Sequence, residues 1–152
     1  MQDIAFRALV HGVYVVTTRC GDRLNGMTAS WVSQVSLRPL LLMVSIAPAR
    51  YSHELITESR VFAINVLASG QVDLGKRFGF QSGRRVDKFA GLNYFTAVTG
   101  SPILPQARAY FDLNLVATHP AGDHTLFVGE VVDAKILHLE DQSQVFSYEN
   151  FF

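Results

Sequence analysis

The chain has 152 residues, a mass of 16.9 kDa and a formal charge of zero, because 13 basic side chains balance 13 acidic ones. Hydrophobic residues make up 49% of the chain and charged residues 17%, which excludes an intrinsically disordered protein. The length predicts one domain, residues 1–152, whose core needs no disulfide or metal. The even charge balance argues against a nucleic-acid partner.

A single cysteine, Cys20, excludes a disulfide within the chain and a cysteine-based metal site. The five histidines show no metal-ligand spacing, so we expect no metal. The first residues lack the pattern of a secretory signal, and the longest uncharged apolar segment, 40–49, is too short to span a bilayer. We therefore expect a cytoplasmic protein without membrane association.

Strands dominate the predicted elements. β-Branched residues with a period of two predict a strand over 13–18, followed by a hairpin turn within 22–26 and a second strand over 27–35. The continuous apolar run 40–44 predicts a strand covered on both faces, and 61–67 predicts another. Further strands are predicted over 109–117, over 125–136 across a turn at 119–123, and over 145–148 at the end of the sheet.

Two short helices are predicted between these strands, over 52–59 and 71–80. Ser52 is expected to cap the first helix, and Glu54 complements the positive end of its dipole. A strand-rich chain of this size with two small helices predicts an all-β fold, a compact β-barrel.

The chain lacks the motifs of the common enzyme classes. It contains no Gly-x-Gly dinucleotide fingerprint, no P-loop, no Gly-x-Ser-x-Gly elbow and no His-Glu-x-x-His zinc motif. If the chain is an enzyme, a bound cofactor must supply the chemistry.

Basic residues are concentrated in one stretch, which contains Lys76, Arg77, Arg84, Arg85 and Lys88. Two interpretations remain open for this cluster: a solvated face, or a site for a phosphate or an anionic cofactor tail.

Three segments have the composition of a cofactor site. Small and hydroxylic residues crowd a strand end at 25–33, where backbone N–H groups become accessible to a planar ring. A buried strand, a Pro-containing turn and a helix start follow one another at 44–53, with Arg50 beside the predicted anion site. His124 stands at the boundary of a turn and a strand within 122–131.

The order of these segments, together with the stretches 35–40, 62–67 and 87–91, resembles the flavin reductase-like family over about 12–152. The amino-acid sequence of 12–18 and 29–33 is most similar to the branch of the family found in rubredoxin-linked and flavodiiron-linked flavin reductase domains. The resemblance implies an all-β fold with short helices, an FMN-binding split β-barrel of Greek-key type. It also implies a homodimer with the flavin near the subunit boundary.

The resemblance further implies roles for individual positions. The family positions that contact the isoalloxazine ring correspond to Met27, Thr28, Ala29 and Ser30, and those that contact the ring and the ribityl chain correspond to Ser45, Ile46 and Ala47. The positions at the flavin phosphate correspond to Ser52 and His53. Phe78 and Gly79 correspond to an aromatic-containing stretch near the flavin. His124 and Tyr148 correspond to nicotinamide contacts, and His124 is the candidate catalytic residue, acting in positioning or proton relay. Trp31 departs from the family, which often has a smaller residue there, and Asn150 stands where Gly is frequent.

The function implied is an NAD(P)H:flavin oxidoreductase that transfers a hydride from NAD(P)H to FMN, or alternatively to FAD. The electrons then pass to a partner such as an oxygenase or redox protein, or leave with released reduced flavin. One alternative is a non-enzymatic flavoprotein that holds FMN and exchanges electrons with a redox protein. A third is a barrel that binds another flat ligand such as haem, with axial ligands among His11, His53, His119 and His138.

Overall fold

The computed structural model describes residues 2–152, with side chains described from Ile4 onward. In chain order the elements are α1 (Gln2–Phe6), β1 (Tyr14–Cys20), β2 (Arg23–Ala29), β3 (Val32–Ser36), β4 (Leu41–Ile46), α2 (Tyr51–Ser59), β5 (Val61–Val66), α3 (Val72–Gly79), β6 (Ala109–Ala121), β7 (His124–Ile136) and α4 (Tyr148–Phe151).

All seven strands form one antiparallel sheet in the order β2-β1-β5-β6-β7-β4-β3. The two edge strands, β2 and β3, are joined along the chain by only Ser30 and Trp31. Because two residues cannot bridge the width of a flat seven-stranded sheet, the sheet must curl until its edges approach each other. The prediction of an all-β split barrel with short helices is confirmed.

The barrel separates two hydrophobic cores. Val15 and Val16 are neighbours on β1 and point to opposite faces of the sheet. Val16 belongs to the core inside the barrel, with Phe62 and Phe127, whereas Val15 belongs to a second core outside it, with Phe78. The outer core holds α3 and α4 against the sheet beside the end of β2.

Several predicted boundaries are wrong. At the two hairpins, strand pairing extends further than the turn residues suggest. The first hairpin turns at Gly21 and Asp22, since β2 already pairs with β1 at Arg23. The later hairpin turns at Gly122 and Asp123, since β6 extends to Ala121. The predicted strand 27–35 is interrupted at 30–31. In the stretch 145–148 a single bridge, Gly12 to Val145, precedes α4.

The prediction that the run 40–44 is covered on both faces is also wrong for the single chain. Along β4, Leu42, Val44 and Ile46 are buried inside the barrel, whereas Leu41 and Met43 alternate with them and remain half-buried. Both faces of β4 carry apolar side chains, but the chain fully buries only the face that points into the barrel.

Gly129 on β7 lets the barrel close over two core side chains. A Cβ atom at this position would lie 2.7 Å from Cζ of Phe62 and 2.9 Å from Cβ of Leu113. We therefore expect Gly129→Ala to lower the free energy of unfolding by about 1–3 kcal/mol, the cost of overpacking a core. Urea denaturation measures this, with Val132→Ala on the exposed side of the same strand as control, expected within about 0.5 kcal/mol of the parent. An unchanged midpoint for Gly129→Ala would contradict the close packing.

Candidate functional site

A cavity of about 190 Å³ lies where β2 ends, between α3 and the C-terminal segment. Four of the predicted cofactor positions line it, namely Thr28, Ala29, Ser30 and Gly79. The structure thus brings together residues from two predicted segments that are about 50 positions apart in the sequence.

The wall between β2 and α3 depends on close approach. The Thr28 hydroxyl donates a hydrogen bond to the Gly75 carbonyl oxygen at 2.5 Å. A Cβ atom on Gly79 would lie 3.2 Å from Cβ of Thr28. Since the Thr28 hydroxyl is held by the helix, Thr28 fixes the wall, and Ser30 offers the next hydroxyl group at the cavity.

Among the described residues that line the cavity, Arg50 supplies the positive charge. Arg50 directly precedes α2, and its backbone is extended as is usual for a residue that caps a helix. The prediction that Ser52 caps this helix is therefore wrong. Ser52 lies within the helix and is buried, and its hydroxyl accepts a hydrogen bond from the Asn25 side-chain amide at 2.8 Å. The Ser52 hydroxyl, which was predicted to contact a phosphate, is therefore not accessible in this structure. From the segment 44–53, the residue that lines the cavity is Arg50.

His53, the other predicted phosphate position, also makes internal contacts. Its Nε2 atom lies 2.9 Å from the Thr125 hydroxyl, and its ring packs edge-on against Phe127 with centroids 4.9 Å apart. Burial lowers the pKa of His53, so the neutral ring is favoured.

Aromatic side chains form the opposite wall, namely Phe80, Phe146, Phe151 and Phe152. Phe151 is buried, and a Cβ atom on Gly75 would lie 2.8 Å from its ring, whereas Phe152 is 84% exposed at the rim. The structure places Phe78 in the outer core with no exposed surface, so the aromatic residue of this stretch at the cavity is Phe80.

The two residues predicted to contact the nicotinamide, His124 and Tyr148, have different neighbours in the structure. His124 Nδ1 lies 2.7 Å from an Asp123 carboxylate oxygen, and its ring centroid is 4.9 Å from that of Trp31. Tyr148 packs instead with Phe146, at 5.2 Å between centroids, beneath the Arg7 guanidinium at 4.6 Å.

The remaining predicted positions support the site from behind. Met27 and Ile46 pack in the barrel core. The Ser45 backbone N–H donates to the Trp31 carbonyl oxygen at 3.1 Å, which ties the end of β4 to the link between β2 and β3. Ala47 follows β4 directly and is half-buried.

The basic cluster of the sequence is divided among several internal contacts. The Arg77 guanidinium donates to the carbonyl oxygens of Lys88 and Ala90. Arg84 pairs with Glu54 at 3.0 Å. The cluster is therefore not one solvated face.

Phe80, Phe146, Phe151 and Phe152 line the cavity but are not among the predicted cofactor positions. Arg50 was expected beside the anion site because it directly precedes a helix start, and it lines the cavity. The aromatic wall depends on long-range packing, which no local pattern reports.

The fold and the cavity define a small split-barrel protein with a cavity beside the end of β2. Residues 6–150 match the family model described as a flavin reductase like domain. The chain therefore belongs to the flavin reductase-like family, as the resemblance implied. In the described residues, no helix combines the length and hydropathy needed to cross a membrane.

Individual relatives agree with this assignment. The high molecular weight rubredoxin of Moorella thermoacetica is 39% identical over 150 residues, which cover 97% of this chain and 65% of that protein. The chain thus spans less than two thirds of that relative's length. The ferric-chelate reductase (NAD(P)H) of Archaeoglobus fulgidus is 33% identical over 149 residues, covering 97% and 86% of the two chains. The NADH:FAD oxidoreductase of Streptomyces globisporus C-1027 superposes with a TM-score of 0.90 at 28% identity, covering 99% and 89%.

Proposed function

We propose that the chain is an NAD(P)H:flavin oxidoreductase that takes a hydride from a nicotinamide onto FMN and passes the electrons onward. The observation that carries this proposal is the cavity beside β2, which combines the Arg50 cation, the Ser30 hydroxyl and an aromatic wall. A planar ring with a phosphate tail matches that donor set. FAD is the alternative cofactor, since it shares the ring and adds a second phosphate.

In this proposal, the chain's own residues hold and shield the ligand. The segment Thr28–Ser30 presents its backbone to the edge of the ring, and Arg50 attracts the phosphate. Met27, Ile46 and Phe78 act from the cores by fixing the backbone of those walls. A flavin held by these residues would supply the hydride-accepting chemistry, so no acid–base pair of side chains would be needed.

His124 is proposed to position the nicotinamide. Asp123 holds its Nδ1 side, and Trp31 packs against its ring, so the imidazole has a defined orientation beside the link between β2 and β3. Tyr148 packs against Phe146 of the aromatic wall, and we propose that it limits the space available to the nicotinamide.

We further propose that two copies of the chain assemble. A cavity of about 190 Å³ is smaller than the roughly 300–1,000 Å³ of common ligand pockets, so one chain encloses only part of a flavin. The half-buried face of β4, with Leu41 and Met43, is apolar and adjoins Val128 of β7. A second copy on this face would bury it and add walls to the site.

Met43→Glu tests this assembly. We expect the parent to sediment as a dimer and Met43→Glu as a monomer, because burying an unpaired carboxylate is costly. Leu139→Glu, at a position 76% exposed, is the matched control and is expected to stay dimeric. A monomeric parent chain at micromolar concentration would refute the dimer.

Anaerobic stopped-flow mixing with NADH and with NADPH tests the activity. We expect purified protein loaded with FMN to lose its flavin absorption bands on mixing with one or both nicotinamides. FMN that is bound but inert to both, and is reduced by a redox protein, would establish the electron-carrier alternative. Binding of haem with no binding of flavin would establish the third interpretation.

The electron acceptor is proposed to be a protein. The similarity to a rubredoxin-named relative that is longer than this chain favours a redox protein over an oxygenase. Steady NADH consumption that depends on added free flavin would instead favour release of reduced flavin.

A further inference from the structure

A buried lysine lies directly behind the cavity. Lys88 is 5% exposed, and its ammonium donates hydrogen bonds to the carbonyl oxygens of Gly26, at 2.8 Å, and Phe78, at 2.9 Å. A lysine ammonium has three donors, so it can hold two backbone oxygens at once. None of the catalytic or binding roles above uses this group.

The two carbonyls belong to the two walls of the cavity. Gly26 lies on β2 two residues before Thr28, and Phe78 lies at the end of α3 one residue before Gly79. The carbonyl end of a helix also favours a positive charge. Lys88 therefore joins the β2 wall to the α3 wall by one side chain.

Arg50 lines the cavity, and its positive charge acts on Lys88. Burial first, and then the charge of Arg50, lower the pKa of Lys88 to about 8. Two further charged groups adjoin it. The Arg77 guanidinium donates to the Lys88 carbonyl oxygen, and the carboxylate of the neighbouring Asp87 accepts from the Phe89 N–H. Arg50 and Arg77 keep their charge throughout the range in which Lys88 titrates.

We propose that Lys88 is a positioning residue that gives the cavity a preference for ligands that carry a phosphate. The charged ammonium of Lys88 holds both walls together, and an anion bound beside Arg50 stabilises that charge. The inference rests on the proposed flavin site, since it assigns the phosphate of FMN to that anion. An anion at Arg50 offsets the repulsion between the two cations and favours the protonated ammonium. Binding of the anion and protonation of Lys88 are thus coupled.

The sign of the pH dependence follows from this coupling. The FMN phosphate is already a dianion above its second pKa of about 6, so it does not titrate between about pH 7 and 9.5. Below about pH 8 Lys88 is charged in the free protein, and FMN affinity is constant. Above about pH 8 the free protein loses the proton that the complex retains, and FMN affinity falls.

The experiment measures dissociation constants of FMN and of riboflavin, which lacks the phosphate, by flavin fluorescence from about pH 7 to 9.5. The readout is the preference, the ratio of the riboflavin constant to the FMN constant, because ionisation of the ring is common to both ligands. For the parent we expect this preference to fall at least about fivefold across the range. For Lys88→Arg we expect a preference that does not change with pH, since guanidinium keeps its proton.

Lys88→Met is expected to show a low preference at every pH, and the exposed-lysine control Lys135→Met is expected to behave as the parent. Equal loss of both ligands in Lys88→Met, with the preference retained, would show a purely structural lysine and overturn the proposal. A pH-independent preference in the parent would overturn it even if no variant folds. Failure of the parent to bind either ligand would refute the flavin site itself, which is a separate result.

Discussion

Replacing His124 with alanine is expected to slow nicotinamide oxidation about a hundredfold while FMN remains bound. The imidazole is held by Asp123 at 2.7 Å and by the Trp31 ring, so its position is fixed before any ligand enters. Loss of a group that orients one reactant toward another costs roughly this factor. Flavin binding is preserved because His124 is not among the residues that line the cavity.

Single-turnover reduction of FMN-loaded protein by NADH measures this effect, and equilibrium fluorescence measures retention of FMN. His119→Ala is the matched control, since His119 is exposed and lies on β6 opposite Leu126. Release of FMN from His124→Ala at a concentration where the parent holds it would contradict the nicotinamide assignment.

Replacing Arg50 with methionine is expected to weaken FMN binding by about 10- to 100-fold and to leave riboflavin binding nearly unchanged. A charge-assisted hydrogen bond contributes about 1.5–3 kcal/mol, and Arg50 is the cation among the described residues lining the cavity. Methionine keeps much of the aliphatic length, so the substitution removes charge more than packing.

Isothermal titration with both ligands checks the Arg50→Met prediction, and Lys135→Met serves as the control for loss of a cation far from the site. An equal loss of affinity for FMN and riboflavin would show that Arg50 shapes the cavity instead of binding the phosphate.

The fold was largely predictable because its strands carry their own signals. The alternating β-branched residues of β1 and the long apolar patterns of β6 and β7 depend on local sequence and survive in the structure. Boundaries were less predictable because turn-forming residues such as Asn25 and Pro120 lie inside paired strands. There, pairing with the neighbouring strand outweighs the local preference for a turn.

The resemblance identifies backbone segments of the candidate site more readily than the directions of side chains. The segment Thr28–Ser30, predicted at the flavin ring, lines the cavity. Ser52 does not line it, because the residue that caps α2 is Arg50, two positions before the predicted cap, and the Ser52 hydroxyl bonds to Asn25 inside the protein. For Lys88 the sequence left two interpretations open, a solvated face or an anion site. Its burial follows from the packing of α3 on β2, which is a long-range event.

The link of Ser30 and Trp31 between the two sheet edges has a consequence for how this protein can vary. The same two residues set how far the sheet must curl, contribute a hydroxyl to the cavity, and bring an indole to His124. An insertion there would relax the curl and displace the ligand wall and the indole in one step. Substitution of side chains is therefore the route by which selectivity can diverge at this position, while its length is constrained by the architecture.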